Sequence, residues 1–200
     1  ESVSVEIDEN GIKTLKSGVE SYIRRIGGYI TLDGAAETEM KVSEIEVVKD
    51  TGLYAKVTAK GNFSDFARGE ITVTLASGTQ RAEIEYRITA RTDLNIYSMG
   101  MKILPSSSDF SYSETAFSSG NVFGSDYICS ADRGIYLITR DNKRFRGATT
   151  AENKTGFMFG SDAIRFAPIV NKKTFLWYDG LTRTTNLLVS FEKNAAEQIQ

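Results

Sequence analysis

Histidine does not occur in this chain, and that absence limits what its other reactive side chains can do. A Ser-His-Asp triad, a Cys-His pair and a histidine-based zinc site are all excluded. Cys129 is the only cysteine, so neither an intrachain disulfide nor a thiolate metal cage can form. Its plain reading is a small residue packed inside a β-rich region. Carboxylates are plentiful, with 26 Asp and Glu. No pair stands out at a spacing that suggests two-carboxylate hydrolysis, and acids on alternating strand faces are ordinarily just solvated. What remains are side chains suited to gripping a ligand: Trp177, Tyr178, Arg183, Arg144 and Arg146.

Sugars lay their C–H faces on aromatic rings while polar groups hold the hydroxyls, which makes Trp177 and Tyr178 candidates for substrate binding. A strand residue next to the core is the competing role for Trp177. In a regular strand the two rings point to opposite faces, so both cannot line one cleft; Phe175 shares a face with Trp177. Arg183 can orient a carboxylate through a two-pronged contact, or pair with a local acid such as Asp179 and fix a turn. Lys143-Arg144-Phe145-Arg146 is a short basic cluster that can meet an acidic polysaccharide, or simply be a solvated hairpin tip.

The elements that must position these groups are strands. Arg81–Ala90 alternates cleanly: Ala82, Ile84, Tyr86, Ile88 and Ala90 on one face, Arg81, Glu83, Glu85, Arg87 and Thr89 on the other. A helix would scatter those charges around its circumference. Leu53, Ala55, Val57 and Ala59 oppose Lys56, Thr58 and Lys60 in the same way, and Ile71, Val73 and Leu75 point inward. Further strands are predicted over 29–32, 45–49, 96–104, 127–131, 135–140, 155–159, 163–166, 174–178 and 187–192. Turns are expected at Asn10-Gly11, Gly27-Gly28, Asp33-Gly34, Ser77-Gly78, Asp141-Asn142 and Asp179-Gly180. Pro105 and Pro168 should sit at or near strand ends. Serine-rich residues 105–124 read as a long loop crossing a sheet edge. The pattern is that of an antiparallel all-β domain with few or no helices.

Composition agrees with a packed domain: 200 residues, 40% hydrophobic and 25% charged, net charge −2. That balance gives no reason to expect nucleic acid. No apolar run is long enough for a membrane-spanning helix. Nothing calls for a cofactor or a metal.

Three segments carry a resemblance. They are 45–61 (IEVVKDTGLYAKVTAKG), 81–93 (RAEIEYRITARTD) and 177–191 (WYDGLTRTTNLLVSF), of which Gly180-Leu-Thr-Arg-Thr184 is the most specific. In order and rough spacing the chain resembles the N-terminal β-domain of exo-rhamnogalacturonan-lyase-like proteins. That resemblance implies a super-sandwich of two large twisted sheets, of the galactose-mutarotase type. It also implies that Tyr178, Arg183, Arg144 and Arg146 could serve as base and carboxylate neutraliser for a lyase. In that family an (α/α) toroid follows, whereas only a short tail follows here, so an accessory role is implied more than a complete catalyst. Aldose epimerases of the same fold class typically pair histidine with glutamate, a pattern this chain cannot meet.

The expectation is a single sandwich over residues 1–192, with 193–200 as a helical tail or linker towards a further domain. Its function would be accessory to a polysaccharide-processing protein, binding carbohydrate or supporting a catalytic domain. Expected partners are a polysaccharide, acidic glycans included, and further domains of the parent chain. Localisation would be extracellular or at the cell surface, where polysaccharides are usually met. The contrasting reading is a cell-surface or phage structural or adhesion module without enzymatic activity.

Overall fold

The computed structural model describes residues 2–106, 111–112, 121–123, 127–130, 134–139, 156–159 and 163–192. Every regular element among them is a β-strand, antiparallel to its neighbours, and the strands form two sheets. The first runs in the order β1 (Val3–Asp8), β2 (Gly11–Ser17), β3 (Glu20–Leu32), β9 (Leu94–Pro105), β15 (Ile164–Trp177), β14 (Gly156–Phe159), β11 (Asn121–Phe123). A short β4 (Glu37–Glu39) pairs with the C-terminal part of β3. The second runs β10 (Ser111–Tyr112), β12 (Tyr127–Ser130), β13 (Ile135–Thr139), β16 (Thr182–Ser190), β8 (Arg81–Ala90), β7 (Ala67–Ala76), β6 (Tyr54–Phe63), β5 (Lys41–Asp50).

One apolar core joins the inner faces. Ile26, Ile30, Met99, Met101, Ile103 and Phe166 of the first sheet share a cluster with Phe63, Ile71, Ile84, Tyr86, Leu187 and Val189 of the second. Each such burial contributes on the order of 1.5–3 kcal/mol before entropy is counted. On β8 the buried and open positions alternate residue by residue, as its sequence requires. Register fixes the outer face as firmly as the inner one, because a one-residue slip would turn every side chain over.

Several local expectations are corrected. Gly27-Gly28 is no turn; it lies within β3. The phenol of Tyr86 fills the space where a Cβ of residue 28 would stand, so a glycine is needed there in mid-strand. Residues 163–166 and 174–178 are not separate strands: both fall along β15, whose pairing with β9 shifts register between Phe166 and Ile169 and again between Val170 and Phe175. Pro168 lies at the first shift, inside a strand instead of at its end, where the ladder is already interrupted. The 105–124 segment contributes β10 and β11, one to each sheet, and its other residues after Ser106 lie outside the described ones. The predicted turn at 141–142 and the tail 193–200 also lie outside them.

Candidate functional site

Trp177 is 4% exposed and belongs to the core. Its Nε1–H donates to the Leu181 carbonyl at 3.0 Å, and its ring meets Phe175 edge-on, centroids 6.0 Å apart. The turn that follows places Tyr178 in solvent, 55% exposed. Arg183 points between the sheets, where its Nη1–H donates to the Met99 carbonyl at 3.2 Å across the core. Asp179 does its turn-fixing through the backbone, its N–H donating to Asp93 Oδ1 at 2.9 Å. Trp177, Tyr178 and Arg183 thus occupy core, solvent and inter-sheet positions and do not converge. Arg144 and Arg146 lie outside the described residues.

The outer face of the first sheet carries a charged network. Lys102 Nζ donates to Glu37 Oε1 and to Glu39 Oε1, both at 2.8 Å. Arg165 donates through Nη2 (2.9 Å) and Nε (3.2 Å) to Glu37 Oε2, while its guanidinium lies 5.4 Å from the Tyr29 ring centre. Burial alone would lower Lys102, but the hydrogen bonds to Glu37 and Glu39 outweigh it and hold the ammonium above the usual lysine range. The Lys102 hydrogen bond holds Glu39 below the usual carboxylate range. Burial pushes the Tyr29 phenol up to about 12, against the hydrogen bond it shares with Ser98 at 2.9 Å. These charges answer one another, so the network reads as scaffold.

The outer face of the second sheet is built differently. Antiparallel register lays Lys49, Lys56, Thr74, Glu83 and Leu188 side by side in one row across five strands. The next row is Glu46, Thr58, Thr72, Glu85 and Asn186. Between these rows the face forms a hollow of about 460 Å3, bordered by Tyr54, Lys56, Thr72, Thr74, Glu83 and Asn186. Thr72, on its border, shares a hydrogen bond at 2.9 Å with Thr58. Lys49 stands 5.5 Å from the Tyr54 ring centre. Lys49 and Lys56 face each other across the strand pair, and among the described residues neither is in an ion pair. Like charges directly opposite are unfavourable in a sheet, so this pair is suited to receiving an anion.

Chemically the hollow offers ammonium groups at one side, carboxylates at the other and hydroxyls between. Glu83 and Glu85 share one face of β8, their Cα atoms about 7 Å apart, and two acids are what glycoside hydrolysis uses. Glu85 Oε1, however, accepts from Arg87 at 2.9 Å, which leaves the arrangement better suited to holding hydroxyls than to proton transfer. Sequence reasoning placed Lys56 and Thr58 on this face but did not make a site of them. The legible signal was Tyr54 in phase with Lys56 and Thr58; what could not be read was which strands flank β6 and how they align.

No family model matches the chain, and no curated protein matches it. Among solved structures it is similar to an Escherichia coli K12 protein assigned provisionally as an aldose 1-epimerase, with 9% identity, TM-score 0.51, and 94% and 95% of the two chains covered. A galactose mutarotase-related enzyme of Lactobacillus acidophilus gives 10% identity and TM-score 0.45, with 94% of each chain covered. An α-galactosidase of Geobacillus stearothermophilus gives 8% identity and TM-score 0.42, covering 94% of this chain and 32% of that one. None of these is an exo-rhamnogalacturonan lyase. Residue-level roles do not travel at such identities. What the first similarity establishes is the fold alone: the two antiparallel sheets pack as a β-sandwich like that of the Escherichia coli protein.

Proposed function

We propose that the chain is a carbohydrate-binding domain of a polysaccharide-processing protein, holding an acidic glycan in the hollow on its second sheet. The observation that carries this reading is the opposed, acid-free lysine pair, Lys49 and Lys56, at the edge of a polar hollow of about 460 Å3. That volume suits a small ligand. A uronate carboxylate would meet the two ammonium groups, and its hydroxyls would meet Thr74, Glu83 and Asn186. The role is accessory: it supplies binding, or support for a catalytic domain, beside further domains of its parent chain at the cell surface or outside the cell.

Calorimetric titration with oligogalacturonides and neutral oligosaccharides tests the reading, with absorbance of unsaturated products followed alongside. Binding of the acidic series, weakened about tenfold or more in Lys56→Gln, is the expected result. Rising absorbance would make the chain a lyase. Failure to bind any glycan would refute the proposal.

A second reading, an adhesion or structural module, draws on edge strand β5, where Ile45, Val47 and Val48 are 50%, 66% and 47% exposed. Unpaired edges of this kind invite strand addition. Concentration-dependent association without glycan binding would favour it.

A further inference from the structure

A second depression lies beyond the rim of the hollow. It occupies about 410 Å3 at the end of the sandwich, between the β5–β6 turn, the β7–β8 turn and the N-terminal residues Ser2 and Val3. The two depressions share Tyr54, which opens β6 and borders both. Lys56, the next residue on the same face of β6, borders only the sheet hollow, while Leu53, on the other side of Tyr54, borders only the end depression.

The end depression has the mixed lining a sugar requires. Leu53 presents an apolar side chain that is 75% exposed at the turn. Asp50, Ser77 and Thr79 supply polar groups around it. Both turns are held in shape by their own hydrogen bonds. Thr51 N–H donates to Tyr54 O at 3.1 Å, Gly52 N–H to Asp50 Oδ1 at 3.1 Å, and Ser77 N–H to Leu53 O at 2.8 Å. The last of these ties the two turns together, so the depression is built by paired backbone and not by two independent loops. Gly52 and Gly78 sit at φ +73° and +78°, a backbone region that L side chains rarely adopt, and a Cβ at either would meet nothing within 4 Å. The glycines serve turn geometry and leave the mouth open.

Across the four strands that border it, from Lys56 on β6 to Asn186 on β16, the sheet hollow extends about 14 Å, already longer than one sugar ring. We infer that the two depressions are consecutive subsites for one glycan chain, crossing at Tyr54, and that the ligand class is therefore an oligosaccharide longer than a disaccharide. This rests on the carbohydrate-binding reading above and extends it from a sugar residue to a chain. The glycan crosses the sheet hollow from β16 towards β6, its charged unit beside Lys49 and Lys56 and its continuation over Tyr54 onto Leu53 and the two turns.

The test is a length series. Oligogalacturonides from the monomer to the hexamer are titrated into the whole chain, into Tyr54→Ala and into Ser77→Met, a surface-turn change that fills the end depression without adding charge. For the unaltered chain, affinity should rise by about tenfold or more between dimer and hexamer. Ser77→Met should bind the dimer as the unaltered chain does, within about threefold, and lose the gain with length; Tyr54→Ala should lose that gain too and also weaken the dimer, because Tyr54 borders both depressions. Equal affinity for dimer and hexamer would overturn the second subsite and leave the sheet hollow standing. A length gain that survives Ser77→Met would overturn it too. No binding at any length would remove the carbohydrate reading itself and this inference with it.

Discussion

Tyr86 offers the sharpest test of the packing beneath the hollow. Its ring is 1% exposed on β8, the strand that carries Glu83 and Glu85 on its other face, and its hydroxyl has no hydrogen-bond partner among the described residues. Burial pushes the phenol well above its ordinary value. A buried hydroxyl left unpaired costs about 1–3 kcal/mol, whereas deleting it leaves a void smaller than a methyl group. Tyr86→Phe should therefore stabilise the fold by about 1 kcal/mol, a urea midpoint shift of roughly 0.5 M at an unchanged slope near 2 kcal/mol/M. Gly28→Ala should do the opposite, because its new methyl would overlap the Tyr86 hydroxyl. In a Tyr86→Phe background the penalty should shrink without vanishing, since ring carbons Cζ and Cε2 would still crowd the methyl, Cε2 at 2.8 Å and Cζ closer. The coupling between the two sites should exceed about 1 kcal/mol. A loss of stability of about 1 kcal/mol in Tyr86→Phe, or additivity of the pair, would refute the reasoning.

Alkaline pH should weaken the fold. Between the ordinary 10.0 and about 12, unfolded Tyr29 ionises while burial keeps the folded phenol protonated, so stability falls as pH rises through that window. The loss attributable to Tyr29 approaches roughly 2–3 kcal/mol, and a flat urea midpoint from about pH 9 to about pH 11.5 would contradict it. Glu39 acts at the other end: its folded value lies below 4.5, so its contribution is complete above that pH and is lost as pH falls further, a decline that Glu39→Gln should blunt in acid titrations followed by circular dichroism. Trp177 is the sole tryptophan and is buried, so its emission should be blue-shifted and unmoved by saturating oligogalacturonide. A ligand-dependent shift would return it to the binding site.

The sequence made β6, β7 and β8 of the second sheet legible because their alternation is unbroken. Arg81–Ala90 was read with the correct bounds and faces, and the Ser77–Gln80 turn was found where β7 ends and β8 begins. The first sheet was harder for a physical reason. Ile12 and Leu15 on β2, and Ile23 and Ile26 on β3, are all buried at a spacing of three, which blurs period two. Two glycines inside β3 imitate a turn because their causes lie elsewhere in the chain: the Asn10 carbonyl beside Gly27, and Tyr86, 58 residues away in the sequence, at Gly28. The site failed for a related reason. Trp177 and Arg183 attract notice by residue type, yet a single tryptophan beside a turn is equally good at filling a core, and only tertiary context separates the two. The hollow draws two or three modest residues from each of four strands, so no local segment announces it.

Lys49 brings both faces of the problem to one residue. It faces Lys56 beside the hollow, and it also sits on edge strand β5 next to the exposed Ile45, Val47 and Val48. Charges on edge strands discourage pairing with another chain, so a lysine there has a reason to exist without any ligand. The two roles respond differently to charge. Lys49→Ala removes both the anion contact and the edge guard; it should weaken acidic-glycan binding and raise self-association in sedimentation velocity. Lys49→Glu reverses the first role but preserves the second, because a carboxylate guards an edge as well as an ammonium does. It should weaken acidic glycans by about tenfold or more while leaving the sedimentation coefficient unchanged. If Lys49→Glu binds acidic glycans as the unaltered chain does, the lysine is an edge guard alone and the site must be sought away from β5.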